Sequence, residues 1–136
     1  MEIKLRDYQK ECIASLPDEG SVMCQMATGL GKTATFSQIP RHGRVLLLSH
    51  REELVEQPRK YYDCSYGIER AAFHSNGEEV VSASVQSIAR RLNRFAPDEF
   101  DMIVTDECHH AGAATYRKIF EHFTPRLHVG FTATPN

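Results

Sequence analysis

No apolar run among the 136 residues approaches the roughly 20 needed to cross a bilayer, and no secretory hydrophobic stretch follows Met1. Cysteine is sparse. Cys12, Cys24, Cys64 and Cys108 lie far apart without a Cys-x-x-Cys pair, which argues against a disulfide framework and against the common zinc modules. Cys108, His109 and His110 are too close along the chain to converge readily on one ion, so they read as structural. These absences together predict a soluble, cytoplasmic protein without a membrane partner. A charge excess of one sign is lacking too: 16 Lys and Arg stand against 18 Asp and Glu, for a formal net charge of -2. Any nucleic-acid surface must then be a local basic patch on a near-neutral domain. Internal repeats and low-complexity tracts are also missing.

What is present is an ordinary globular composition, 41% hydrophobic and 25% charged, at a length suited to one domain over residues 1–136. Leu5, Tyr8, Cys12, Ile13 and Leu16 recur at helical spacing. Ser21 to Met26 then reads as a strand, and Val45 to Leu48, Val80-Val81, Met102 to Val104 and Leu127 to Phe131 are apolar runs suited to a parallel sheet covered on both faces. Val85, Ile88, Ala89, Leu92 and Phe95 fit one helix face, and Tyr116, Ile119, Phe120 and Phe123 another. Strand alternating with helix predicts an α/β fold with a mainly parallel, doubly wound sheet whose ligands sit beyond the carboxyl ends of the strands.

The segment Met26-Ala27-Thr28-Gly29-Leu30-Gly31-Lys32-Thr33 lies between an expected strand and an expected helix, where a phosphate loop belongs. Gly29 and Gly31 allow backbone N–H groups to approach phosphate oxygens, and Lys32 reaches the β and γ phosphates. Thr33 offers a hydroxyl to magnesium. Met26 occupies the position of the first glycine in the strict pattern. Downstream, Met102-Ile103-Val104-Thr105 runs into Asp106-Glu107. Asp106 is suited to face that magnesium, and Glu107 to orient the water that attacks the γ phosphate.

Phosphate loop and Asp106-Glu107-Cys108-His109 together resemble motifs I and II of the superfamily-two helicases, and Gly130-Phe131-Thr132-Ala133-Thr134-Pro135 resembles their motif III. Ala27 matches the alanine many members carry near the first glycines. Leu5-Arg6-Asp7-Tyr8-Gln9 is similar to the adenine-recognising segment, with Gln9 as the base-reading amide. Leu46 to Leu54 and Ser82 to Ser87 resemble motifs Ia and Ib of the branch that holds type III restriction-enzyme motor subunits and related DNA-repair helicases. The resemblance implies a single RecA-like P-loop NTPase domain that uses ATP and magnesium. By position it implies nucleotide contacts from Arg6, Gln9, Thr28, Gly29, Leu30, Gly31, Lys32 and Thr33, with Lys32 and Glu107 catalytic. Metal contacts fall to Thr33 and Asp106, nucleic-acid contacts to Arg51, Ser84 and Gln86, and coupling of the two sites to His109, Thr132 and Thr134. Ser84 replaces a more usual threonine, and Pro58 should break or kink the helix after motif Ia.

Nucleic acid is the implied partner, DNA rather than RNA, joined by a second RecA-like domain in cis that the 136 residues do not include. Without that domain's arginine fingers, turnover should fall by about 10³- to 10⁵-fold, leaving a weak or inactive ATP hydrolase. A non-catalytic, nucleotide-gated scaffold remains the alternative. Arg90, Arg91 and Arg94, placed opposite the apolar helix face, are either phosphate contacts or a solvated face with Asp98 or Glu99 as counter-ions.

Overall fold

The computed structural model describes residues 3–26, 31–106 and 113–133. Its sheet has six strands: β1 (Gly20–Met26), β2 (Val45–Ser49), β3 (Tyr66–Glu69), β4 (Val80–Ser84), β5 (Met102–Asp106) and β6 (Leu127–Ala133). They pair in the order β1-β6-β5-β2-β4-β3, every neighbouring pair parallel. The helices are α1 (Asp7–Ala14), α2 (Lys32–Ser37), α3 (Val85–Ala89) and α4 (Ala113–His122).

Strand periodicity of two explains the layers. Along β2, Leu46 and Leu48 join Val81, Ala83 and Ile103 on one face, where Val85 and Ile88 of α3, Ile119 of α4 and Phe123 just after α4 cover them. Val45 and Leu47 point the other way, with Met102, Val104 and Val129, under Phe36 and Ile39 and beside Cys12, Ile13 and Leu16. Both faces are thus buried, as the unbroken apolar runs require.

Departures from the sequence reading have local causes. β3 went unrecognised because Tyr-Gly-Ile-Glu offers little apolar signal and ends in a carboxylate; Glu69 is nonetheless fully buried. The helix expected across 85–95 stops at Ala89 and gives way to a 3-10 turn over Leu92–Arg94. Leu92 and Phe95 still reach the core, but Arg91 and Arg94 turn toward Glu69, with Nη1 of each donating to its carboxylate at 3.2 and 2.6 Å. Their counter-ion is therefore Glu69, not Asp98 or Glu99; Glu99 instead takes Arg44 at 2.5 Å. After β2 the chain forms 3-10 turns, Glu52–Leu54 and Gln57–Tyr61, with Pro58 in the first turn of the second, consistent with a helix that proline forbids. Tyr8, counted on the apolar face of α1, is 39% exposed.

His128 on β6 is partly buried against Phe120, ring centroids 4.2 Å apart, and its Nε2 lies 2.9 Å from Thr105 Oγ1. Burial lowers its pKa from 6.5 to about 4. The unfolded chain thus takes up a proton near pH 6.5 that the folded chain refuses until about pH 4. Stability from this group is complete above pH 6.5 and falls as pH drops between those values, by about 2 kcal/mol after allowing for partial exposure. Urea midpoints at pH 7 and pH 4.5 check it: His128→Gln should lose less stability than the wild type over that interval, and equal losses would contradict the assignment.

Candidate nucleotide site and nucleic-acid face

Parallel pairing places the carboxyl ends of the strands along one edge of the sheet. Asp106 aligns with Ser49 on one side and Phe131 on the other, and Met26 aligns with Ala133. The carboxyl ends of β1 and β5, with β6 between them, therefore lie along this edge. Lys32, the first residue of α2, sets its Nζ 3.1 Å from Asp106 Oδ1, with side chains only 12% and 21% exposed. Residues 74 positions apart in sequence are thus held as a shielded pair of opposite charges at the carboxyl edge of the sheet.

Gly31 caps α2 with φ 77° and ψ 36°, a left-handed conformation that strains any side chain. Its carbonyl accepts Gln9 Nε2 at 3.1 Å and, at 2.9 Å each, Thr35 Oγ1 and Thr35 N–H. A Cβ at position 31 would stand 2.6 Å from Gln9 Nε2, so glycine is needed for the approach as well as for the turn. Gln9 is buried, 5% exposed. Its Oε1 accepts the Arg6 N–H at 2.7 Å, reaching back over the first turn of α1 as an N3 glutamine does. The glutamine amide has a second hydrogen to donate beyond its bond to Gly31. Arg6 contributes its backbone there and keeps its side chain exposed. Thr33 is half-buried in the first turn of α2.

Asp106 and, in the first turn of α2, Thr33 carry hard oxygen donors, a donor chemistry that fits magnesium rather than a soft metal. Among the described residues no group of three or more His, Cys, Asp or Glu side chains could hold an ion. Thr28, Gly29, Leu30, Glu107, His109 and Thr134 lie outside the described residues. Thr132 is half-buried on β6, in register with Gln25 of β1. A polar cavity of about 400 Å³ lined by Arg41, Lys60, Tyr61 and Glu79 lies near the amino end of β4, at the opposite edge of the sheet from Asp106.

The nucleic-acid candidates divide. Gln86 is exposed, and its Nε2 donates to the His50 carbonyl at 3.3 Å, joining the segment after β2 to α3. Arg51 is exposed and paired with Glu53 at 3.1 Å. Ser84 is fully buried, and its Oγ accepts the Ser87 N–H at 3.1 Å, so its hydroxyl caps α3 rather than facing outward. Beside Gln86 runs a groove of about 400 Å³ between α3 and α4, lined also by Arg90, Thr115 and Lys118. Of the three arginines singled out in sequence, only Arg90 lines it. Lys118 was missed, although its position between Tyr116 and Ile119 on an amphipathic helix marks it as outward-facing.

No helix among the described residues is long and apolar enough to cross a membrane. Residues 2–136 match the family model described as type III restriction enzyme, res subunit. The chain is 32% identical to IRC3 of Saccharomyces cerevisiae, a protein named as an ATP-dependent helicase, over 96% of its own length and 23% of that relative. It is 31% identical to the type I restriction enzyme EcoAI endonuclease subunit of Escherichia coli, over 97% of the chain and 19% of the relative. The crystal structure of the Pyrococcus furiosus Hef helicase domain superposes with a TM-score of 0.75 at 23% identity, covering 97% of this chain and 33% of that one. The chain thus spans about a fifth to a quarter of the length of these two curated relatives. With an all-parallel sheet among the described residues, a glycine-capped lysine helix against Asp106, and a family match over nearly every residue, the chain belongs to the type III restriction-enzyme res-subunit family, as an N-terminal RecA-like domain of the superfamily-two helicases.

Proposed function

We propose that this domain binds magnesium-ATP at the Lys32–Asp106 edge and hydrolyses it when a second RecA-like domain in cis completes the site, driving a helicase or translocase on DNA. The observation that carries the reading is the 3.1 Å pairing of the Lys32 ammonium with the Asp106 carboxylate beside the Gly31 turn. On binding, Lys32 exchanges Asp106 for β and γ phosphate oxygens, and the freed carboxylate, with the Thr33 hydroxyl, becomes available to hold the metal. Bound magnesium would neutralise charge developing on the phosphates. Gln9, fixed from both ends by Arg6 and Gly31, holds the adenine side of the site in register with the phosphate loop, and its second amide hydrogen suits a base-edge acceptor. Glu107, next along the chain from Asp106, is assigned to orient the attacking water. His109, Thr132 and Thr134 are assigned to couple nucleotide state to the nucleic-acid face. On that face we place Arg51 and Gln86, and add Arg90 and Lys118 across the α3–α4 groove. The DNA assignment follows the likeness to restriction-enzyme subunits.

The test is magnesium-dependent ATP binding and turnover by the chain, with and without single-stranded DNA, for wild type and Glu107→Gln. Weak binding and slow turnover are expected without strand separation, and Glu107→Gln should keep binding while turnover drops at least tenfold. Equal loss of binding and turnover would remove the water-positioning role from Glu107. Strand separation by these 136 residues alone would overturn the half-motor reading.

A further inference from the structure

We propose that Cys12 and Cys24 form a reversible dithiol–disulfide site, a covalent modification point that ties α1 to the edge strand β1. The two sulfurs lie 3.2 Å apart, with the Cys12 thiol donating to Cys24. They meet because α1 lies on the face of β1 that also buries Met26, with Ile13 and Leu16 in the same apolar cluster. A disulfide needs about 2.05 Å between sulfurs, so a shift on the order of 1 Å closes the bond. Access is asymmetric: Cys24 is buried at 9% exposure, whereas Cys12 is only partly covered, so an oxidant meets Cys12 first. Cys64, the third described thiol, sits among Asp63, Glu79 and Arg41.

With hydrogen peroxide as oxidant, the Cys12 thiolate attacks one peroxide oxygen, the O–O bond breaks, and hydroxide leaves as water after taking a proton. Cys24 Sγ, losing its proton, then attacks the sulfenic sulfur of Cys12; the S–O bond breaks, a second water leaves and the S–S bond forms. Two thiols are oxidised and one peroxide becomes two waters. Burial pushes the Cys24 thiol up to about 12, which makes the second step the slow one and base-accelerated. The crosslink lies one helical turn from Gln9 and two residues before Met26. It would therefore fasten the helix that positions Gln9 to the strand that enters the phosphate loop.

Treating the wild-type chain with peroxide, alkylating the remaining thiols and mapping peptides by mass tests this directly. The expected result is an intramolecular Cys12–Cys24 crosslink, seen as loss of two hydrogens per chain. A thiol reductant should reverse it, and Cys64→Ser should retain it. Closing the short loop over residues 12–24 should raise the melting temperature by about 5–10 °C, with reversal on reduction. In Cys24→Ser the sulfenic acid on Cys12 should accumulate and react with dimedone. Crosslinks to Cys64 or Cys108, crosslinks between chains, or Cys12 oxidising in the folded wild type while Cys24 stays a free thiol would each overturn the proposal. All three outcomes are read on the wild type, so a variant that fails to fold does not obscure them, and none depends on nucleotide binding.

Discussion

Replacing Lys32 with alanine is expected to weaken magnesium-ATP binding tenfold to a hundredfold while leaving the sheet intact. A unit charge about 4 Å from a phosphate is worth roughly 4 kcal/mol at an effective dielectric near 20. Part of that is already engaged, since the ammonium is paired with Asp106 at 3.1 Å. The net loss is therefore smaller than roughly 4 kcal/mol, and the stated range corresponds to about 1.4 to 2.8 kcal/mol. Asp106→Asn separates the two roles assigned to the pair. It removes the carboxylate charge paired with the ammonium, so binding of metal-free ATP should hold or tighten, whereas the magnesium-dependent gain should disappear. Calorimetric titration with and without magnesium reads both. Unchanged affinity in Lys32→Ala would mean that the pair is only structural, and parallel losses by both variants under both conditions would mean that substitution had damaged the fold.

The site was legible in the sequence to the extent that its chemistry is local. Gly31-Lys32-Thr33 signals a turn into a helix by residue type alone, and the apolar run ending at Asp106 signals a strand whose last carboxylate faces a ligand edge. Their pairing could only be inferred from motif order, because it depends on β1 and β5 being two places apart in the sheet with β6 between them. Gln9 was marked by resemblance, yet its physical position is a matter of sterics: Gly31 lacks the Cβ that would occupy the space of Gln9 Nε2. Ser84 illustrates the opposite case. Its place in a motif pointed outward, but a serine directly before a helix is also a preferred N-cap, and the structure uses it so. β3 escaped notice because its stability comes from tertiary contacts of a charged residue, which periodicity does not record.

That charged residue carries the other large effect. Glu69→Gln should destabilise the domain by about 3 kcal/mol, lowering the melting temperature by roughly 10 °C. Glu69 is fully buried at the end of β3. Its Oε1 accepts the Ser75 N–H at 2.7 Å, the Ser75 hydroxyl at 3.0 Å and Arg94 Nη1 at 2.6 Å, and its Oε2 accepts Arg91 Nη1 at 3.2 Å. Burial pushes the carboxyl pKa up, but the Ser75 amide and the two guanidiniums outweigh it and hold the value below the usual 4.5. This contribution is thus present at neutral pH and lost only as pH falls below that range through the folded value. Removing the charge leaves Arg91, whose side chain is 17% exposed, without its anion, whereas Arg94 at 40% can turn to water. Arg91→Ala should therefore cost more stability than Arg94→Ala. The same geometry decides the question that the run of arginines raised. Arg91 also donates to the carbonyls of Phe73 and Ala71, so its guanidinium is committed to holding the 70–75 turn against the segment after α3. Substituting it should move the melting curve while leaving the salt dependence of single-stranded DNA binding unchanged. Arg90→Ala should do the reverse, flattening the salt slope by about 0.7 for one lost phosphate contact at nearly constant stability. A salt slope that responds to Arg91 but not to Arg90 would place the phosphate path over the Glu69 cluster and away from the α3–α4 groove.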